Sequence, residues 1–329
     1  MARHLAANAL TVLFVLCLVL AGLAIWSFRS FTAPGPLTEP REVALPRGAS
    51  LTAVSERLEE QGVIASATIF RLGARYRGED QALKFGEYEI PAAASMEQVL
   101  EIIVSGRSIQ HRVTVAEGLT SWEVVELLRA NDLLTGEIED TPPEGSLAPD
   151  TYFVSRGMSR AELIGRMQAA QARILEAAWE MRQPDTPLRT PEEALTLASI
   201  IEKETGVAEE RPLVGGVFVN RLRRGMRIQS DPTIIYGLTE GQGPLDRSLT
   251  RADIERPTAY NTYVIDRLPP GPIANPGRDA ILAAVRPEET DALYFVADGT
   301  GGHAFATTLQ EHNRNVAAWR RIERERQGN

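Results

Sequence analysis

Residues 43–64 read VALPRGASLTAVSERLEEQGVI, and residues 113–134 read VTVAEGLTSWEVVELLRANDLL. Aligned at their first valines, Val43, Leu45, Gly48, Ser50, Val54, Leu58 and Ile64 fall on Val113, Val115, Gly118, Thr120, Val124, Leu128 and Leu134. In each copy apolar residues alternate at first and then recur at helical spacing. A glycine marks the turn between them, and a serine or threonine stands where a helix start needs an acceptor for its orphan amides. Each copy predicts a short strand, a glycine turn and a capped amphipathic helix. Between them, FGEYEIPAAASMEQVLEIIVSG (85–106) predicts another strand and a helix capped by Ser95. The chain belongs on this pattern to the α+β class. Two generic strand–helix units of coincidental spacing are the plain alternative, and the repeat by itself does not decide between them.

Upstream, Leu5 to Phe28 reads LAANALTVLFVLCLVLAGLAIWSF, without a charge. That approaches the roughly 20 residues a helix needs to cross a bilayer. A cleaved signal would have an apolar run of about 7–15 residues and then a small-residue cleavage site. The run is longer and continues through Ile25, Trp26 and Phe28, so an uncleaved anchor over residues 1–28 is expected. Arg3 and His4 before it and Arg29 after it bias orientation only weakly; a large outer C-terminal domain is the default. TAPGPLTEP follows, and residues 29–40 read as an extended linker. A small strand–helix subdomain over 41–110 and a larger mixed α/β domain over 111–329 complete the division.

Composition narrows the function. The chain has 329 residues, 43% hydrophobic and 24% charged, with a formal net charge of −9 that argues against general nucleic-acid binding. Its one cysteine, Cys17, lies within the apolar run, so no intrachain disulfide forms and no thiol-based zinc spacing exists. The four histidines have no ligating spacing, and no metal or other cofactor is expected.

A helix start is written at Thr190-Pro191-Glu192-Glu193: a capping threonine, a proline at the first helical position and Glu193 to complete a capping box. Gly206 is the natural stop. On a wheel of about 100° per residue, Ala194, Leu197, Ile200 and Ile201 form one apolar arc. Glu204 falls near the middle of that arc, whereas Glu202 and Lys203 point away, toward water or neighbouring loops. A carboxylate on a buried face must be paired, hydrogen-bonded or protonated. Desolvation raises its pKa, as a general acid near neutral pH requires. The bland alternative is a helix-end glutamate that curls outward or pairs with Arg211.

Downstream, VGGVFVNRLRRGMRIQSDPTIIYGL (214–238) offers Gly215-Gly216 for close helix packing. IQSDPT gathers Gln229, Ser230, Asp231 and Thr233 around a proline, and AYNTY adds Tyr260, Asn261, Thr262 and Tyr263. Rings flanked by amides and hydroxyls suit a sugar. Leu293–Ala297 and His303–Thr307 flank a glycine-rich turn as a hairpin. His303 lacks a serine with a supporting motif and reads as structural.

These segments, with LPPGPIANPG and YFVADGTGGHAFATTLQEHN, resemble the YceG-like endolytic murein transglycosylases. The resemblance covers most of the chain and implies a membrane anchor, a LysM-like subdomain that recognises glycan, and a catalytic domain. It implies a single-pass bacterial inner-membrane enzyme facing the periplasm, acting on nascent peptidoglycan strands beside the synthases that make them. The family's catalytic glutamate falls on Glu204, and KET is similar to the Glu-Ser signature of other lytic transglycosylases, with Thr205 for the serine. AYN (259–261) is similar to a saccharide-site motif. Gln229, Asp231, Thr233, Tyr260, Asn261, Tyr263 and Asn220 are the expected substrate-binding residues. The implied reaction needs one acid, which leaves a 1,6-anhydro end. A two-carboxylate muramidase using Asp231, and a non-catalytic glycan-binding anchor, are the rivals.

Overall fold

The computed structural model describes residues 2–327, with side chains over 10–326. Arg3 and His4, whose charge bears on orientation, lie outside the described side chains. The chain forms two compact units, Met1–His111 with Phe153–Met158, and Arg112–Tyr152 with Ser159–Asn329. The short return of residues 153–158 to the first unit is not written in the sequence pattern, which divides the chain once near residue 110.

In the first unit, α1 (Ala2–Thr32) is one unbroken helix. Its segment Leu10–Thr32, 23 residues, is long and apolar enough to cross a membrane. Leu13, Leu20 and Phe28 along it are exposed. There follow β1 (Arg41–Leu45), α2 (Leu51–Glu60), α3 (Ala67–Tyr76), β2 (Gly86–Ile90) and α4 (Met96–Ser105). β1 and β2 pair antiparallel, with Val43 opposite Tyr88. Ser50, Ser66 and Ser95 accept amide hydrogens at the three helix starts. Val43, Leu58, Phe70, Tyr88, Leu100 and Ile103 form the core.

The linker expected over 29–40 is instead packed. Phe31 and Leu37 are buried in this core, and Ala93 N–H donates to the Leu37 carbonyl at 2.8 Å. Two large apolar side chains among the prolines supply the reason: each gains about 1.5–3 kcal/mol by leaving water. The sequence reading also contains no helix at α3, which buries Ala67, Ile69, Phe70 and Ala74 while the apolar Leu72 and Tyr76 remain exposed.

The chain continues through β3 (His111–Thr114), α5 (Ser121–Arg129), β4 (Leu134–Thr135), β5 (Thr151–Val154), β6 (Met158–Ser159), α6 (Arg160–Glu180) and α7 (Pro191–Glu204). Then come α8 (Arg211–Arg223), α9 (Asp231–Thr239), α10 (Arg251–Glu255), α11 (Arg278–Val285), β7 (Tyr294–Ala297), β8 (His303–Ala306) and α12 (Leu309–Gln327). The second unit's core lies where α11 packs on α7 and α8, through Ile200, Ile201, Val214, Phe218, Ile281 and Val285. A side-chain carbon on Gly215 would meet the Ala283 carbonyl at 2.5 Å, and one on Gly216 the Glu288 carbonyl at 2.6 Å. Only glycine allows this approach. β7 and β8 form an antiparallel hairpin, with Ala297 opposite His303.

The repeated pattern has a matching local geometry. Gly48 and Gly118 both have φ of 77°, and Ser50 and Thr120 cap with φ/ψ of −69°/158° and −72°/160°. The two copies nevertheless serve different units.

Candidate active site

α7 is capped by the Thr190 hydroxyl, which accepts from Glu193 N–H, and Pro191 occupies its first turn. The expected reciprocal bond moves by one residue: the Glu193 carboxylate accepts from Arg189 N–H at 2.8 Å. Ala194, Leu197, Ile200 and Ile201 are fully buried, so the helix is held by its apolar arc and its last residue, Glu204, extends that face. Gly206 is not the stop. Thr205 turns to extended backbone, and its hydroxyl accepts from Val207 N–H at 3.0 Å, an arrangement that ends a helix without glycine.

Glu204 opens on a cleft of about 500 Å³ with Arg221, Gln229, Asp231, Tyr263, Tyr294, Phe295, His303 and His312 on its walls. Burial pushes the Glu204 carboxyl up to about 7, the nearby Asp231 charge adds to the rise, and His303 and Arg221 oppose it. The Ser230 hydroxyl also favours the charged form. Ser230 Oγ has no partner at full hydrogen-bond geometry, so this contact is a close approach rather than a formed bond. A carboxyl in this state carries its proton at neutral pH for a substantial fraction of the time.

Glu202 is the residue that pairs with Arg211. Its side chain is 4% exposed and lies 2.9 Å from the Arg211 guanidinium, and it accepts from Gly277 N–H at 2.8 Å. Lys203 donates to the Gly118 carbonyl. Both point away from the apolar arc as the wheel suggests, Glu202 into neighbouring loops and Lys203 exposed while it reaches one of them. Glu202 is thus tied down, whereas Glu204 faces the cleft.

Of the expected substrate-binding residues, Gln229, Asp231 and Tyr263 reach the cleft. Gln229 has φ of 53°, a left-handed backbone that costs a non-glycine residue about 1 kcal/mol or more. The Tyr263 hydroxyl donates to Asp231 at 2.7 Å, and burial with that carboxylate pushes the phenol well up.

The other four residues are structural. Thr233 is fully buried and bonds the Ser230 carbonyl and the Thr262 hydroxyl. The Asn261 amide is spent on the carbonyls of Asp253, Ile254 and Arg256. Tyr260 packs against Tyr236 as a tilted ring pair with centroids 4.7 Å apart, outside the cleft. Asn220 donates to the Thr290 and Ala292 carbonyls and lines a separate hollow. Together Thr233, Thr262 and Asn261 fix the loops that carry Gln229, Asp231 and Tyr263.

Arg221, Tyr294 and His312 stand on the wall without a signal in the sequence, and His303, which reads there as structural, stands on it too. Arg221 is 7% exposed, donates to the Leu293 and Ile228 carbonyls at 2.7 and 2.5 Å, and lies over the Tyr294 ring. It clamps the hairpin to α8 and leaves a positive charge beside Glu204. His303 Nδ1 and the Glu210 carboxylate are 2.6 Å apart, and Glu210 also accepts from His303 N–H. Tyr294 stacks on His312 at 5.2 Å. These residues come from α8, the turn before it, the hairpin and α12, so only folding brings them together. The chemistry available is one proton donor with a raised pKa, flanked by fixed positive charge and an aromatic wall.

The chain is similar in sequence to the endolytic murein transglycosylase of Streptococcus pneumoniae serotype 2, 29% identical over 323 residues, covering 84% of this chain and 57% of that one. It is similar also to the endolytic murein transglycosylase of Bacillus subtilis, 29% identical over 306 residues, covering 83% of this chain and 82% of that one. The match thus spans little more than half the length of the pneumococcal relative. A crystal structure of a yceG-like protein from Listeria monocytogenes superposes with a TM-score of 0.52 at 29% identity, covering 84% of this chain and 98% of that chain. The model of the YceG-like family matches residues 43–318, through both units, and the chain is a member of that family.

Proposed function

We propose that the chain is an endolytic murein transglycosylase that cuts peptidoglycan glycan strands internally, with Glu204 as both acid and base. The observation that carries this reading is the single carboxyl in the cleft with a pKa pushed up to about 7, at the position the sequence marks; the names of the relatives supply the substrate class. Glu204 donates its proton to the glycosidic oxygen between N-acetylmuramic acid and N-acetylglucosamine. The C1–O bond breaks as an oxocarbenium-like state develops. The muramoyl C6 hydroxyl attacks C1, and its proton passes to the Glu204 carboxylate. The product carries a 1,6-anhydro ring, no water is consumed, and the acid is regenerated. Gln229, Asp231 and Tyr263 position the sugar, and the Tyr294 and His312 rings offer a stacking wall.

Around that chemistry, α1 anchors the chain in a bacterial inner membrane as a single pass, with both units on the periplasmic side. The β1-α2-α3-β2 order, with its outer strands paired antiparallel, supports a LysM-like, glycan-binding reading of the first unit. Membrane synthases that extend the strands are the natural partners, since an internal cut terminates what they make.

Asp231 in the same cleft favours one second reading, a hydrolase in which it activates water. Product mass spectrometry separates the two. Uncrosslinked glycan strands treated with the protein should gain anhydro-muramoyl ends, and Glu204→Gln should lower their formation by at least about 100-fold. Reducing ends instead would establish the hydrolase.

A further inference from the structure

The membrane-proximal face of the first unit presents apolar surface with no protein against it. Along α3, Ile69, Leu72, Gly73 and Tyr76 recur at helical spacing. Leu72 is 52% exposed and Tyr76 89% exposed. Between this stripe and the last turns of α1 lies a groove of about 730 Å³, walled by Ala24, Ile25, Phe28, Ile69, Leu72 and Tyr76. Arg29, Arg77 and Glu97 stand among its polar lining residues.

The height of α3 follows from how α1 ends. Leu10–Thr32 rises roughly 34 Å at about 1.5 Å per residue, against a hydrocarbon core of about 30 Å. A helix that begins its crossing near Leu10 therefore leaves hydrocarbon within its final turn. That turn is already part of the folded unit: Phe31 is buried, and its ring lies where a Gly73 side chain would be, 2.3 Å from an added carbon. α3 is thereby fixed at the level where α1 emerges. An exposed Leu–Tyr stripe at that depth, with Arg71 and Arg75 on the same helix and Arg77 capping it in ion pairs with Glu79, Glu97 and Glu101, has the composition of an interfacial helix. Basic residues there gain from anionic headgroups.

We infer that α3 lies in the headgroup layer of the bilayer, with Leu72 and Tyr76 entering the acyl boundary and phospholipid chains filling the groove between α3 and α1. The inference rests on the reading of α1 as membrane-spanning. The occupant is lipid rather than a protein partner because the groove is continuous with the lipid-facing surface of α1. The first unit is then a membrane-seated platform held by two contacts.

Collision accessibility of nitroxide labels in the full chain, reconstituted in phosphatidylethanolamine–phosphatidylglycerol vesicles, tests this. Cys17, the single native cysteine, reports the anchor. Leu72→Cys, Tyr76→Cys and Glu60→Cys, each with Cys17→Ser, report α3 and an exposed aqueous reference. Labels at 17, 72 and 76 are expected to collide preferentially with oxygen, and the label at 60 with a water-soluble nickel chelate. Nickel-dominated collisions at 72 and 76 with oxygen-dominated collisions at 17 would overturn the inference and leave the anchor intact, opening the groove to a protein partner. Water access at 17 as well would overturn the anchor reading, and the inference with it. Retained strand cleavage by each labelled chain reports that it is folded.

Discussion

Glu204 shows how a single position can be read from pattern and then given its energetic meaning by the fold. Its folded-state pKa of about 7 lies above the ordinary 4.5. Between those values the folded chain holds a proton that the unfolded chain has lost, so stability falls as pH rises through this window. Above about pH 7 the full cost is present, on the order of 3 kcal/mol. Glutamine carries no such cost. Glu204→Gln should therefore match the wild type in urea denaturation near pH 4 and exceed it at pH 8. An equal difference at both pH values would show that the carboxyl is not held protonated by its surroundings. On the proposed mechanism the same proton sets activity, which should decline above about pH 7 as the acid form is lost. The wheel found Glu204 because burial on one helix face is a local property. It could not find Glu210, which reaches His303 across 93 positions, nor Arg221, whose partners Leu293 and Ile228 lie on other segments. Asn261 and Tyr260 illustrate the converse error: residue types suited to sugar were spent on holding carbonyls and packing against another ring.

At the scale of elements, the sequence carries most where backbone chemistry is unforgiving. The serine and threonine caps, the hairpin around Asp298–Gly302 and the Gly48/Gly118 turns were legible because each needs a particular residue type. α3 was not, since its exposed Leu72 and Tyr76 add apolar side chains beside the buried face of Ile69, Phe70 and Ala74 and blur the contrast between its sides. The glycine pair in α8 makes a quantitative case. Gly215→Ala gains helix propensity of about 1 kcal/mol but places a methyl 2.5 Å from the Ala283 carbonyl, where backbone must move at a typical cost of 1–3 kcal/mol. The clash should prevail, and we expect a lower denaturation midpoint together with weaker cleavage, since α7 and α8 both carry cleft residues. A midpoint at or above the wild type would mean that α11 yields easily.

Across the whole molecule, each unit has its own core, and the first draws on residues that a boundary placed by composition would discard. A soluble fragment starting at Arg41 lacks Phe31 and Leu37, both buried, while one starting at Ser30 keeps them. Calorimetry of the two should show the unfolding of the first unit at a lower temperature in the shorter fragment, with the second unit's transition unchanged. Identical profiles would mean that the two side chains contribute nothing once the anchor is gone. Proline and glycine made residues 29–40 look like a tether because composition records flexibility and not the two apolar side chains that remove it.

That absence of a joint has a mechanical consequence. A tether would let the first unit wander through a shell as wide as its length. With α1 running directly into the core at Phe31, a unit anchored by α1 as proposed would instead stand on a post: a tilt of the helix in the bilayer would be a tilt of the unit. On the proposed glycan-binding role, a strand gripped by this unit would be held at one altitude above the lipid. The membrane would then be the ruler from which position along a growing chain is measured, and inserting a flexible segment after Thr32 would erase its graduations.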